Sequence, residues 1–159
     1  MHSIAVAGHL CLDITPRHGS TAVLEPGRLF EVGPLAISLG GSVANTGRAL
    51  VDLGATVTPF ASIGDDEFDG TRVDVQGTDL LHVGYPPLLP GLLVDGGHPL
   101  HTLLRRAHAA GATTSLDLVV VDPDSAVGAL DWAGILARVL AECDVASPSL
   151  DRPHFCVAH

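Results

Sequence analysis

Gly40-Gly41-Ser42-Val43-Ala44-Asn45 is the segment of this sequence whose residue types best suit a ligand. Two glycines between an extended run and a helical pattern let a ligand approach the backbone closely. Free N–H groups at a helix start can bind hydroxyl or phosphate oxygens. Asn45 adds a donor and an acceptor about one turn further on. Asp13, on an earlier extended run, could accept two hydrogen bonds from a vicinal diol. That set suits a polyhydroxylated ligand. On the motif alone, a tight turn with a solvated Asn45 is the plainer reading.

Other candidates are weaker. Asp65, Asp66 and Glu67 could offer Mg²⁺ its preferred oxygen ligands, but consecutive carboxylates rarely converge on one ion, so a solvated loop is expected. His101 and His108 share a polar helix face with Arg105. They stand two turns apart, too far for one metal unless another element joins them. Cys11 falls on an apolar run and reads as a packed thiol rather than a nucleophile. Ser147 and Ser149 lie outside any Gly-x-Ser-x-Gly elbow. Asp117 and Asp122 follow an expected strand, where ligands bind in open sheets, and position is their only argument.

The elements that must hold these residues alternate. Residues 3–7 read as a buried strand, and residues 10–14 continue in extended form. Residues 15–27 are rich in Pro, Gly, Ser and Thr, and read as a loop. Residues 29–32 and 35–39 suggest two short strands around Gly33-Pro34. A helix opens at Gly40-Gly41-Ser42 and closes at Gly54. Strands follow at 56–63, 79–83, within 113–121 and from 144. Two further helices are marked by Leu100, Leu103, Leu104 and Ala107, and by Trp132, Ile135, Leu136 and Val139. This alternation predicts a parallel sheet flanked by helices, with the early antiparallel pieces forming a small extra sheet.

Composition narrows the chemistry. The chain has 159 residues, one domain's length, with 47% apolar and 16% charged residues and a net charge of −10. All its basic residues are arginine. Without lysine there is no Schiff-base chemistry, no Walker-A loop and no protein-kinase motif set. The acidic balance argues against nucleic acid and against an anionic membrane surface. No apolar stretch approaches the ~20 residues of a membrane span. No secretory signal is visible, and three widely spaced cysteines suggest neither disulfides nor zinc. A cytoplasmic location is the resulting expectation.

The order of these features resembles the PfkB, or ribokinase-like, family of carbohydrate and nucleoside kinases. Gly8 precedes Asp13 by five residues; Gly40-Gly41, Asn45, Gly54 and Gly64 follow, and then Asp65-Asp66-x-Phe68. Val43 and Gly47 stand where other small residues are usual in that family. Further on, residues 79–85, Thr114-Ser115-Leu116-Asp117, Asp122-Pro123-Asp124-Ser125 and residues 144–149 look like successive family segments. The similarity spans roughly residues 3 to 151.

The resemblance implies an α/β fold, a ribokinase-like three-layer sandwich with a parallel sheet flanked by helices and a small β lid. It implies transfer of the ATP γ-phosphoryl group to a sugar or nucleoside hydroxyl, with Mg²⁺ assisting. It places Asp13, Gly41, Ser42 and Asn45 at the sugar. Residues 1–151 would be a partial domain and 152–159 an irregular tail. No Gly-x-Gly-Asp run follows residue 64, so the family's catalytic base and nucleotide-binding segments have no counterpart. The Asn-x-x-Glu motif would fall at Ser149 and Arg152, and neither matches. Near residues 69–71 the sequence skips part of the lid. The expectation is therefore a truncated chain, inactive alone. The alternatives are a sugar-binding or oligomerisation module, homo-oligomeric through the lid sheet, or the product of a degenerate gene.

Overall fold

A computed structural model describes residues 2–17, 26–27, 32–62 and 68–148. Its centre is β1 (Ser3–His9), whose Ile4 to Gly8 stretch is buried throughout. A strand buried on both faces reads as a continuous apolar run, which is how residues 3–7 present themselves. β2 (Cys11–Pro16) and β3 (Leu35–Gly40) form a separate antiparallel ribbon. The main sheet is completed by β4 (Thr56–Ser62), β5 (Leu80–Gly84), β6 (Thr113–Leu118) and β7 (Val145–Pro148). The order is β4-β1-β5-β6-β7, and every pairing is parallel. Pro59 is tolerated because β4 is an edge strand.

Among the described residues three α-helices cover the sheet: α1 (Gly41–Asp52), α2 (Pro90–Ala109) and α3 (Trp132–Val139). The second of these is two limbs, because the backbone leaves helical geometry from Val94 to Gly97. On one face, Ala5, Leu81, Val83 and Leu116 pack beneath Leu100, Leu104, Ile135 and Val139. On the other, Ile4 and Val6 pack beneath Val43 of α1, and the cluster is smaller. This is the mixed α/β layout expected, with helices on both faces of a parallel sheet.

The segment between β4 and β5 is short and well packed. Val73 and Val75 are buried in the larger core. Arg106 of α2 donates to the carbonyls of Gly70 at 3.2 Å and Val73 at 2.9 Å. Residues 69–71, where the sequence departs from the family pattern, thus lie in a tied-down segment.

Several expectations shift in detail. Leu35–Gly40 is a strand, but residues 32–34 are not, and residues 28–31 lie outside the described residues. Most of the expected loop at 15–27 also lies outside them. The first limb of α2, with buried Leu92 and Leu93, was not anticipated. Pro90 suits the first position of a helix, where its missing N–H costs nothing. Cys11 is exposed rather than packed, because its strand belongs to the ribbon and not to the main sheet.

Candidate functional site

The carboxyl ends of β1 and β5 meet the start of α1, and glycines permit the meeting. A Cβ on Gly84 would lie 2.5 Å from the Ser42 Cβ, and one on Gly8 would overlap the Ser42 hydroxyl. The first turn of α1 therefore sits directly on the sheet. Gly41 has a φ of +89°, a left-handed conformation that side chains resist, and its own Cβ would meet the His9 carbonyl at 2.6 Å.

The four residues expected at a ligand are placed as follows. Asp13 lies on β2 with its carboxylate against the Gly40 α-carbon, where a side chain on Gly40 would collide with it. Gly41 begins α1, and Asn45 is exposed one turn later. Ser42 is buried; its hydroxyl donates to the Gly84 carbonyl at 3.2 Å and lies 3.4 Å from His9 Nδ1. Asp13, Gly41 and Ser42 thus converge on one place, and Ser42 also holds the helix to the sheet.

Two further residues join them. The His9 ring stacks on the Tyr85 ring, with centroids 5.6 Å apart and planes 22° from parallel. Tyr85 has a φ of +57°, uncommon for a residue with a side chain, and its N–H donates to the Asp117 carbonyl at 2.9 Å. Burial pushes the His9 imidazole below its ordinary value, against the opposing pull of the Asp13 charge. The Cys11 thiol is raised by desolvation, and by its hydrogen bond and proximity to Asp13, so it is no activated nucleophile.

One strand further along, His82, Ser115 and Asp117 line the same face of the sheet, paired in register with Val6, His82 and Gly84 respectively. His82 Nδ1 lies 3.1 Å from the Ser115 hydroxyl, and its enclosed Nε2 has no hydrogen-bond partner among the described residues. Of these, sequence reasoning had weighed only Asp117, by position. The available signal for His9 and Tyr85 was that each follows a glycine at the carboxyl end of a strand.

The remaining candidates separate from this place. Asp65, Asp66, Glu67 and Ser149 lie outside the described residues. Asp122 closes its own turn by accepting the Asp124 N–H at 3.0 Å. Ser147 is exposed on β7. Glu142 does join the two helix histidines, 3.8 Å from His101 and 3.3 Å from His108. Even so, among the described residues no group of three His, Cys, Asp or Glu side chains could hold a metal ion. The Mg²⁺ implied by the resemblance thus finds no fitting set of side-chain ligands among the described residues. No helix among the described residues is long and apolar enough to cross a membrane.

No family model and no curated protein matches the sequence. Solved structures do match in fold. One is named as a 2-keto-3-deoxygluconate kinase of Enterococcus faecalis, with a TM-score of 0.55 at 18% identity over 92% of this chain and 58% of that one. Another is a fructokinase from Xylella fastidiosa, with a TM-score of 0.54 at 15% identity over 92% of this chain and 61% of that one. The chain thus has the fold of these carbohydrate kinases, and spans about three-fifths of their length.

Proposed function

We propose that this chain is the sugar-binding part of a PfkB-type carbohydrate kinase fold, and that it binds a sugar or nucleoside hydroxyl ligand at Asp13, Gly41, Ser42 and Asn45. The observation that carries this reading is the seating of the glycine-led helix start against Asp13, at the carboxyl ends of the strands, in a fold shared with sugar kinases. Ligands bind at that end in open parallel sheets. Asp13 accepts hydroxyl protons, and the N–H groups of the first turn of α1, which have no acceptor within the helix, donate to hydroxyl oxygens.

Phosphoryl transfer would require a base and a nucleotide site, and no Gly-x-Gly-Asp run follows residue 64 in this chain. The chain alone should therefore bind sugar without turnover. Isothermal titration with a panel of sugars, beside a coupled ADP-release assay, tests this. Heat of binding without ADP release is expected. Steady ADP release dependent on sugar would remove the claim of inactivity, and the absence of any sugar binding by the folded chain would remove the site.

A second reading, assembly through the lid, has its own support. The ribbon pairs Leu12 with Leu39 and Ile14 with Ile37 on one face, and these side chains are all more than 60% exposed. A face of that kind suits burial against a second ribbon. Sedimentation velocity should then show mass rising with concentration in the parent chain and not in Ile14→Ser/Ile37→Ser. A monomer at all concentrations would count against it.

A further inference from the structure

We propose that Asp95-Gly96 is a site of spontaneous isoaspartate formation, and that Arg138 restrains it. The reaction needs no partner molecule and is independent of the sugar-binding reading. The Gly96 main-chain nitrogen attacks the side-chain carboxyl carbon of Asp95. The nitrogen's proton and the carboxyl OH leave as water, and a five-membered succinimide closes. Water then opens one of the two ring carbonyls. One opening restores aspartate; the other leaves the main chain running through the side-chain carbon. Glycine after aspartate favours closure, because no side chain hinders its nitrogen.

The sequence has two such pairs, Asp69-Gly70 and Asp95-Gly96, and the fold treats them oppositely. Asp69 Oδ1 accepts the Thr71 N–H at 2.9 Å and the Thr71 hydroxyl at 2.7 Å. Those bonds hold the Asp69 carboxyl below its ordinary value, and an ionised carboxylate has no OH to lose. Gly70 is buried, and its carbonyl is bound by Arg106. Asp95 and Gly96, by contrast, are both exposed, and the Asp95 carboxylate meets no partner among the described residues. They sit in the break between the limbs of α2, where Asp95, Gly96 and Gly97 have φ of +50°, +64° and +77°. Such a break opens locally more easily than a helix interior. What holds it is Arg138 of α3, whose Nη1 donates to the Asp95 carbonyl at 3.2 Å and the Gly96 carbonyl at 3.0 Å. Ring closure must turn the Asp95 ψ of 41°, which carries that carbonyl out of reach of Arg138. The isoaspartyl product adds a methylene to the main chain between buried Leu93 and Leu100.

The test holds the whole chain near neutral-to-acid pH at body temperature for weeks. Peptide mapping by mass spectrometry with electron-transfer fragmentation, which tells isoaspartate from aspartate, then reads both pairs. A sample unfolded in guanidinium chloride gives the rate of each pair without the fold, and the two should there agree within about threefold. In the folded parent, isoaspartate at position 95 should exceed that at position 69 at least fivefold. Arg138→Met should raise the rate at position 95 severalfold and leave position 69 unchanged. Arg138→Gln serves as a second variant, and whichever of the two melts cooperatively is used. Equal accumulation at both pairs in the folded parent overturns the site. So does none at position 95 over a period in which the unfolded sample converts there. An unchanged rate at position 95 in the folded variant overturns the restraint by Arg138.

Discussion

On one face of the sheet, Leu81, Val83 and Leu116 meet the leucines of α2 and the apolar stripe of α3. On the other, Ile4 and Val6 meet α1, and then the strand residues turn polar: His82 beside Val6, Ser115 beside His82, Asp117 beside Gly84. Both faces come from the same strands, since successive side chains alternate sides. The first face is filled by close-packed aliphatic groups that supply stability. The second is covered by one helix over β1 and β4, and its polar continuation reaches the groups that converge near Asp13. The filled core and the polar groups thus lie on opposite sides of one sheet, so substitutions can probe each separately.

The largest expected effect is on the filled face. Leu104 has no solvent exposure, and Leu104→Ala should destabilise the chain by about 2–5 kcal/mol through lost burial and an unfilled cavity. Ile4→Val on the other face should cost about 0.5–1.5 kcal/mol. Urea denaturation of both variants checks this. Comparable losses would mean that the two faces share the load.

Next comes the seat of α1. Gly84→Ala forces a methyl to within 2.5 Å of the Ser42 Cβ, and such overpacking costs about 1–3 kcal/mol. Adding Ser42→Gly should recover part of that loss, because the colliding atoms are gone. A double-mutant cycle by thermal melts measures the coupling. Strictly additive losses would show that the helix start does not rest on Gly84.

A loss of about 1–2 kcal/mol is expected for Arg106→Met, which keeps an aliphatic stem and abandons the two carbonyls of the β4–β5 segment. Hydrogen exchange should accelerate around residues 70–75 and leave α1 unaffected. Acceleration across both faces would instead make Arg106 a support of the whole sheet.

The filled face was largely legible in the sequence, because its residues obey helix and strand periods: residues 3–7 as an apolar run, Leu100 to Ala107 at helical spacing. Its one surprise was the first limb of α2. Pro90, Gly91, Gly96 and Gly97 are residue types that disfavour a helix interior, yet Leu92 and Leu93 are buried, and a Cβ on Gly97 would lie 2.9 Å from Ile135 Cγ2. Tertiary packing, not local preference, decides that segment. Of the polar face, Asp13 and Gly40-Gly41 were singled out by residue type, although the motif alone reads as a plain tight turn. The His9–Tyr85 stack was not, because it exists only once β1 and β5 lie side by side. Cys11 misled for a related reason: its strand looks continuous with β1 but pairs with β3 in the ribbon.

The smallest expected effect tests the polar face through its protons. Burial lowers the His82 imidazole below its ordinary value, against the pull of Asp117, and burial lowers His9 in the same direction against Asp13. The folded chain therefore resists protonation at both rings, whereas the unfolded chain accepts protons near the ordinary value of about 6.5. A base lowered on folding contributes its full stability above that value. The contribution declines as pH falls through about 6.5 and levels off below the folded-state value. The melting temperature of the parent chain should thus carry a falling component between pH 7.5 and pH 5.5, a window above most carboxylate titration. His82→Gln can still bond Ser115 but does not titrate, so its profile should be flatter than the parent's. Leu104→Ala should lower the whole curve without changing its slope. A His82→Gln profile as steep as the parent's would show that the polar face is indifferent to protons, and the division of labour between the two faces would then lose its electrostatic half.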